Sequence, residues 1–164
     1  IKINERYGEG TLVLPEALIP EAVAKVPGLD GQKMSKSYNN TLPIFGEEKP
    51  LRKTVMRIVT DSTPVDAPKP VEGSVILELY KLFACEADYA QMIGDYQAGG
   101  CGYGDFKKRL WEAYWDYFAP MRARRKELLD DPAYVDKVLA DGAERAREEA
   151  ERVLTRVRQA VGLK

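Results

Sequence analysis

Residues 27–40 read Pro27-Gly-Leu-Asp-Gly-Gln-Lys-Met-Ser-Lys-Ser-Tyr-Asn-Asn40. The stretch has neither the period of two of a strand nor the 3.6 of a helix, and glycines stand at 28 and 31, so it reads as a loop. Within it, Lys33-Met34-Ser35-Lys36-Ser37 sets two amino groups three residues apart, with hydroxyls between and beside them. Mobile point charges, extra hydrogen-bond donors and a backbone free to close suit a polyphosphate. The same residues also suit a plain solvated turn, and their chemistry alone leaves both readings open.

Outward from this loop the texture changes near residue 62. Upstream, Val13-Leu14-Pro15 with Glu16, Leu18 and Ile19, and then Ala22 to Val26, read as short strand or extended segments closed by turns. Downstream, Leu51, Val55, Ile58 and Val59 trace a helix stripe from Pro50 that stops before Thr63-Pro64, and residues 64–70 read as a Pro-rich linker. Ser74 is placed to cap a helix with Val75, Leu79, Leu82 and Phe83 facing inward. A short helix over Asp88 to Ala98 ends at Gly99-Gly100. Asp105 is read as the cap of a long helix lined by Phe106, Leu110, Tyr114 or Ala113, Tyr117, Met121 and Leu128, kinked at Pro120. Asp131-Pro132 opens another helix. A capping box at Asp141 to Glu144 predicts a fresh start for the last one, which ends at Gly162. At least five helices thus follow one α/β-looking piece, so the chain is mainly α.

Composition limits the chemistry. The chain has 164 residues, 45% hydrophobic and 31% charged, which is the balance of a folded protein with a packed core. It has no histidine, which excludes every mechanism resting on a histidine base of this chain. Its two cysteines, Cys85 and Cys101, are too few for a closed zinc or iron–sulfur site, so no protein metal site is expected. The formal net charge of −1 is far from the basic face that holds duplex DNA, and no DNA partner is expected. No apolar run reaches membrane-spanning length, and residues 1–10 lack a signal-peptide layout, so the chain reads as cytoplasmic, with no membrane partner. The densest basic patch is Arg122, Arg124, Arg125 and Lys126, which suits either RNA phosphates or a solvated helix face.

Lys33-Met-Ser-Lys-Ser37 is identical to the signature of class I aminoacyl-tRNA synthetases, a five-residue match that chance supplies with a probability on the order of 10⁻⁴ or less. Leu14-Pro-Glu-Ala-Leu-Ile19, the whole 27–40 stretch, Leu51-Arg-Lys-Thr-Val-Met56, Thr60-Asp-Ser62, Ile76-Leu-Glu-Leu-Tyr-Lys81 and Gly102-Tyr-Gly104 together resemble the bacterial tryptophanyl-tRNA synthetase family. The family's HIGH-like motif and amino-acid pocket have no counterpart here, so the resemblance implies the C-terminal half. It implies a division into residues 1–61, the end of a Rossmann-type α/β catalytic domain with the signature loop, and residues 62–164, a helical anticodon-binding domain.

By the same resemblance, Lys33 and Lys36 are the catalytic lysines that stabilise the pyrophosphate leaving group as tryptophan and ATP form an aminoacyl-adenylate. Met34, Ser35 and Ser37 complete the ATP-binding loop, Val26 meets adenine through its backbone, and Gly28 and Gly31 are hinges. Mg²⁺ enters with ATP. Arg122, Arg124, Arg125 and Lys126 contact tRNA(Trp), and the intact enzyme is a homodimer. Trp111, Tyr114, Trp115, Tyr117 and Phe118 offer stacking planes for bases, or a core. Two other readings stay open: a tyrosyl-tRNA synthetase half, against which residues 51–117 speak, and a noncatalytic helical RNA-binding module that keeps the signature as a relic.

Overall fold

The computed structural model of the chain describes residues 1–20 and 23–163. These form two compact units, Ile19–Ala123 and Ile1–Leu18 with Arg124–Lys164. This is a division by packing, and its boundaries do not fall at residue 62, where the two functional parts were expected to meet.

In the unit Ile19–Ala123, α2 (Glu48–Met56) and α3 (Val75–Tyr80) pack on α5 (Tyr103–Tyr117), and α4 (Glu86–Ala98) packs on α3. The six residues of α3 are too few to hold a helix alone. Five of them, Val75, Ile76, Leu77, Leu79 and Tyr80, are buried, and at about 1.5–3 kcal/mol for each large apolar side chain that burial supplies what propensity does not. Ser74 caps it as expected: its Oγ accepts from Leu77 N–H at 3.4 Å and donates to the Tyr96 hydroxyl at 3.2 Å. Tyr96, Phe106, Leu110 and Tyr114 fill the centre, each no more than 1% exposed. In α2, Leu51 and Val55 are buried as the stripe predicts, but the helix stops at Met56, so Ile58 reaches the core from the next turn while Val59 is 63% exposed.

The segment read as a linker is instead a strap fastened to α4. Lys69 N–H donates to Tyr96 C=O at 2.7 Å, and Gly100 N–H donates to Val65 C=O at 2.9 Å. Lys69 is 3% exposed; its ammonium donates to the carbonyls of Val65, Ala67 and Pro64 at 3.1, 3.3 and 3.4 Å, so the buried charge is solvated by backbone. Gly99 ends α4 at φ +74, and a Cβ there would lie 2.4 Å from the carbonyl oxygen of Asp66, so the strap requires glycine on both counts.

Several sequence expectations change. Asp105 does not cap α5, since Gly102 is the N-cap and Asp105 pairs with Lys108 at 2.9 Å inside the first turn. The long helix is two helices, α5 and α6 (Ala119–Asp130), separated at Phe118. Pro120 has no N–H for the Asp116 carbonyl and its ring crowds that carbonyl, so the chain breaks before the proline rather than kinking at it. Tyr117 and Met121, expected inside, are 48% and 43% exposed. Residues 13–19 and 23–26 form no ladder among the described residues, where the isolated bridge is Pro27 with Lys33; an extended segment becomes a strand only when a neighbour takes its hydrogen bonds. Ala22, within the second of those segments, lies outside the described residues.

In the other unit, α1 (Lys2–Tyr7) is tied to the following turn by Asn4, whose carboxamide donates to Leu12 C=O at 2.7 Å and accepts from Leu12 N–H at 2.8 Å. Arg156 Nε donates to Thr11 C=O at 2.9 Å, which joins this segment to α7 (Pro132–Ala160). Asp131 caps α7 with Pro132 behind it, as predicted. The helix runs on through Asp141 and Gly142 without a new start, because a mid-helix glycine costs only about 1 kcal/mol and the continuous backbone ladder outweighs a cap. Its end is a Schellman motif, with Gly162 N–H bonded to Gln159 C=O and Leu163 N–H to Arg158 C=O. Among the described residues no helix is long and apolar enough to cross a membrane.

Candidate functional site

The loop predicted to carry the chemistry is ordered by its own backbone. Met34 N–H donates to Val26 C=O at 2.9 Å and Gly28 N–H to Gln32 C=O at 2.7 Å, and Gly31 closes the turn to Gly28 at φ +82. Leu29 N–H donates to Asn40 C=O and Leu29 C=O accepts from Val59 N–H, so the loop is pinned at its base to the segment after α2. Ser35 then caps one 3₁₀ turn, Lys36–Tyr38, with its Oγ 2.7 Å from Ser37 Oγ. Val26 and Met34 are half-buried and pack against the core.

Asn40, 3% exposed, holds the interior of the loop. Its Oδ1 accepts from Ser35 N–H at 2.8 Å, while its Nδ2 donates to Asp30 Oδ1 at 2.8 Å and Lys33 C=O at 3.3 Å. Asp30 Oδ1 also accepts from Gln32 N–H at 3.1 Å. The Asn40 amide, and then that backbone N–H, hold the Asp30 carboxyl below the usual carboxylate range. Gly28 is buried, and a Cβ on it would stand 2.3 Å from the Asn40 carboxamide, so glycine is present at 28 because the two segments touch.

Lys33 and Lys36 are exposed, and neither ammonium is in an ion pair or hydrogen bond among the described residues. Ser37 is exposed beside them. The loop therefore presents two uncompensated positive charges and a hydroxyl on a backbone that is already shaped. The surroundings of the 30–31 turn itself have the contrary character. There a cleft of about 390 Å³ is lined by Asp30, Asp61, Glu72 and Tyr103 among others, and its carboxylates repel an anion. Asp61 Oδ1 accepts from Thr63 N–H at 2.8 Å and Tyr103 Oη at 2.9 Å; hydrogen bonds from Thr63 and Tyr103 keep its carboxyl low, and burial pushes the Tyr103 hydroxyl up.

The basic patch is not uniform. Arg122 lies in the unit Ile19–Ala123, where its guanidinium stacks 3.4 Å from the Trp115 ring centroid and donates to Trp115 C=O; its Nη1 is buried with no hydrogen-bond partner. Its charge is spent on packing. Arg124, Arg125 and Lys126 lie in the other unit and are exposed, with Arg124 paired to Glu127 at 2.8 Å. Of the aromatic candidates, Trp111 and Tyr114 are core residues, and Trp115 stacks on Trp111 at 5.0 Å under the Arg122 guanidinium. Tyr117 and Phe118 join Tyr114 around Phe83. Cys85 is structural, its Sγ accepting from Asp88 N–H at the start of α4. Asn40 and Lys69 were missed by sequence reasoning; the signal for Asn40 was the Asn39-Asn40 pair closing the loop, with Asn39 at φ +52.

Comparisons with known proteins bear on this site. The family model described as tRNA synthetases class I (W and Y) matches residues 1–119. A tryptophan--tRNA ligase of Rhodopirellula baltica is 53% identical over 161 residues, covering 98% of this chain and 50% of that protein. One of Campylobacter jejuni is 42% identical over 163 residues, covering 99% and 51%. A crystal structure of tryptophanyl-tRNA synthetase from Campylobacter jejuni complexed with ADP and tryptophan superposes with a TM-score of 0.83 at 42% identity, covering 99% of this chain and 50% of that one. The chain spans about half the length of these relatives. With a family model matched over residues 1–119, the signature loop included, the chain belongs to the class I tRNA synthetases of the tryptophan and tyrosine type.

Proposed function

We propose that this chain is the C-terminal part of a tryptophan--tRNA ligase, which activates tryptophan with ATP and transfers it to tRNA(Trp). The carrying observation is the pair Lys33 and Lys36, exposed and unpaired on an ordered turn, in a chain 53% identical to a ligase of that name. As the tryptophan carboxylate attacks the α-phosphorus, the bond to the pyrophosphate oxygen breaks and negative charge grows on the leaving group. Lys33 and Lys36 offset that growing charge more than the charge of bound ATP, which lowers the barrier. Ser35 holds the turn, Ser37 offers a donor to phosphate, Met34 anchors the loop to the core, and the Val26 backbone faces adenine. Closure of the loop about Gly31, with Gly28 packed at its base, brings the lysines in. Protonated amines do not ligate Mg²⁺, so the ion belongs to ATP as substrate, held by phosphate oxygens and water, and no step here runs through it.

On this reading residues 1–61 end the catalytic domain and residues 62–164 form the helical anticodon-binding part. Arg124, Arg125 and Lys126 meet tRNA phosphates, while Arg122 supports the aromatic stack of its own unit. The whole enzyme is a cytoplasmic homodimer that binds neither membrane nor DNA. The test joins this chain to the portion of the Rhodopirellula baltica ligase that it does not cover and follows tryptophan-dependent ATP–pyrophosphate exchange. Lys36→Ala in that hybrid loses one charge-assisted contact, about 3 kcal/mol of barrier, so exchange falls about a hundredfold with thermal stability unchanged. Equal exchange in the variant and the parent hybrid refutes the assignment.

A further inference from the structure

We infer that Asn40 is a positioning residue for polyphosphate binding: one buried carboxamide clamps the backbone at Lys33 and Ser35 and so sets where the two lysines stand. The inference rests on the phosphate-loop reading above and deepens it. Ser35 stands five positions before Asn40 and Lys33 seven, yet the Asn40 side chain bonds to both backbones, at 2.8 and 3.3 Å. A third bond, 2.8 Å to Asp30, fixes which end of the amide donates, because the carboxylate only accepts. Gly28 leaves the room that this side chain occupies.

The energetic logic is one of preorganisation. Lys33 and Lys36 repel each other and have no acidic partner to hold them, so an unclamped loop would spread over many conformations and lose entropy on closing around an anion. A hydrogen-bonded carboxamide inside the turn restricts that spread without placing any negative group against the ligand. Asn40 is itself buried and touches no phosphate; it acts through the two lysines. Asp30, the carboxylate in the network, accepts from the Asn40 amide and from Gln32 N–H and so is held within the turn.

The 164-residue chain, labelled with ¹⁵N, is titrated with inorganic pyrophosphate and followed by NMR, with amide hydrogen exchange measured at Ser35. Asn40→Ala is expected to speed Ser35 exchange and weaken pyrophosphate about fivefold, the factor that one net hydrogen bond is worth, while Tyr96 and Leu110 in the core keep their shifts. Asn40→Gln keeps an amide but carries it one methylene farther, off the Lys33 and Ser35 backbones; it is expected to speed Ser35 exchange and weaken pyrophosphate in the same direction. Faster Ser35 exchange with unaltered pyrophosphate affinity makes Asn40 merely structural and overturns the inference, as does unaltered exchange. If Asn40→Ala fails to fold, Asn40→Gln decides alone: faster exchange with weakened affinity supports the clamp, and faster exchange with parental affinity overturns it. A parent chain whose loop resonances do not respond to pyrophosphate refutes the phosphate-loop reading itself, and the inference falls with it.

Discussion

Gly28→Ala tests whether glycine stands at the base of the loop for contact or for motion. A methyl group there would lie 2.3 Å from Asn40 Cγ and Nδ2 and 2.8 Å from the Asn40 carbonyl oxygen. Carbon contacts are comfortable near 3.5 Å, so the overlap is about 1 Å. Asn40 cannot give way freely, because its side chain is held at 2.8 Å by both Ser35 and Asp30 and its carbonyl at 2.9 Å by Leu29 N–H. One outcome keeps those bonds and shifts backbone, an overpacking cost of about 1–3 kcal/mol. The other expels the carboxamide and loses three net hydrogen bonds of about 1 kcal/mol each, so the backbone shift, at about 2 kcal/mol, is the cheaper. Restricting the unfolded chain returns about 0.4–1 kcal/mol, which leaves roughly 1–1.6 kcal/mol of destabilisation. For the unit Ile19–Ala123 that is a fall in Tm of roughly 10 °C. The assay is thermal unfolding of the chain by circular dichroism and tryptophan fluorescence, with Ser35 amide exchange read at 25 °C. An unchanged Tm together with unchanged exchange refutes the contact argument and returns Gly28 to a hinge whose only need is torsional freedom.

Charge reversal at Arg124 and Arg125 together is expected to weaken tRNA binding in a filter assay of the hybrid enzyme and to leave adenylate formation intact; equal affinity would return these residues to a solvated helix face. Arg122→Ala removes the group stacked on Trp115 and should cost about 1–2 kcal/mol with a change in tryptophan emission, a loss that urea unfolding detects and that an unaltered midpoint would disprove. Burial pushes the Tyr96 and Tyr114 hydroxyls up to about 12, above an ordinary value of 10.0, so the folded state favours their neutral forms. Their contribution is complete below pH 10 and is lost as pH rises towards 12; an alkaline denaturation series should show this fall, and Tyr96→Phe should flatten it. The 164-residue chain alone is expected to show no tryptophan-dependent exchange, because on our reading the surface that orients tryptophan and the α-phosphate lies outside it; robust exchange by the purified chain would contradict this. Its exposed Leu18 and Ile19, at 93% and 67%, should also promote association, which Leu18→Ser with Ile19→Ser should relieve in sedimentation.

The helical character of the chain was legible because its signals are local. Ser74 and Asp131 cap the helices that follow them, Gly99 and Gly162 close the helices before them, and Leu51, Val55, Phe106 and Leu110 fall on the faces that become buried. Each of these depends on residues within about a turn of one another. The loop was legible for the same reason, since its lysines and serines are adjacent in sequence and need only to remain exposed. The failures share the opposite property. Asp141 has the spelling of a cap, but a cap acts only where a helix begins, and the unbroken ladder of α7 decides that it does not begin there. Pro64 to Pro70 looks like a linker until α4 supplies the Tyr96 carbonyl that fastens it.

By itself, the sequence determined that this protein is mainly helical, that no histidine chemistry takes place within it, and that two lysines stand three residues apart in a glycine-bearing loop. Those follow from composition, from periodicity and from neighbours along the chain. Only the tertiary structure decided which polar residues are spent on architecture. Asn40 left solvent to hold the loop, Lys69 buried its ammonium against three carbonyls, and Arg122 turned from the basic patch onto Trp115. A long-range hydrogen bond or a stacked ring requires a partner that the sequence does not place nearby, and the cost of burying a polar group is met only once folding has brought that partner within reach.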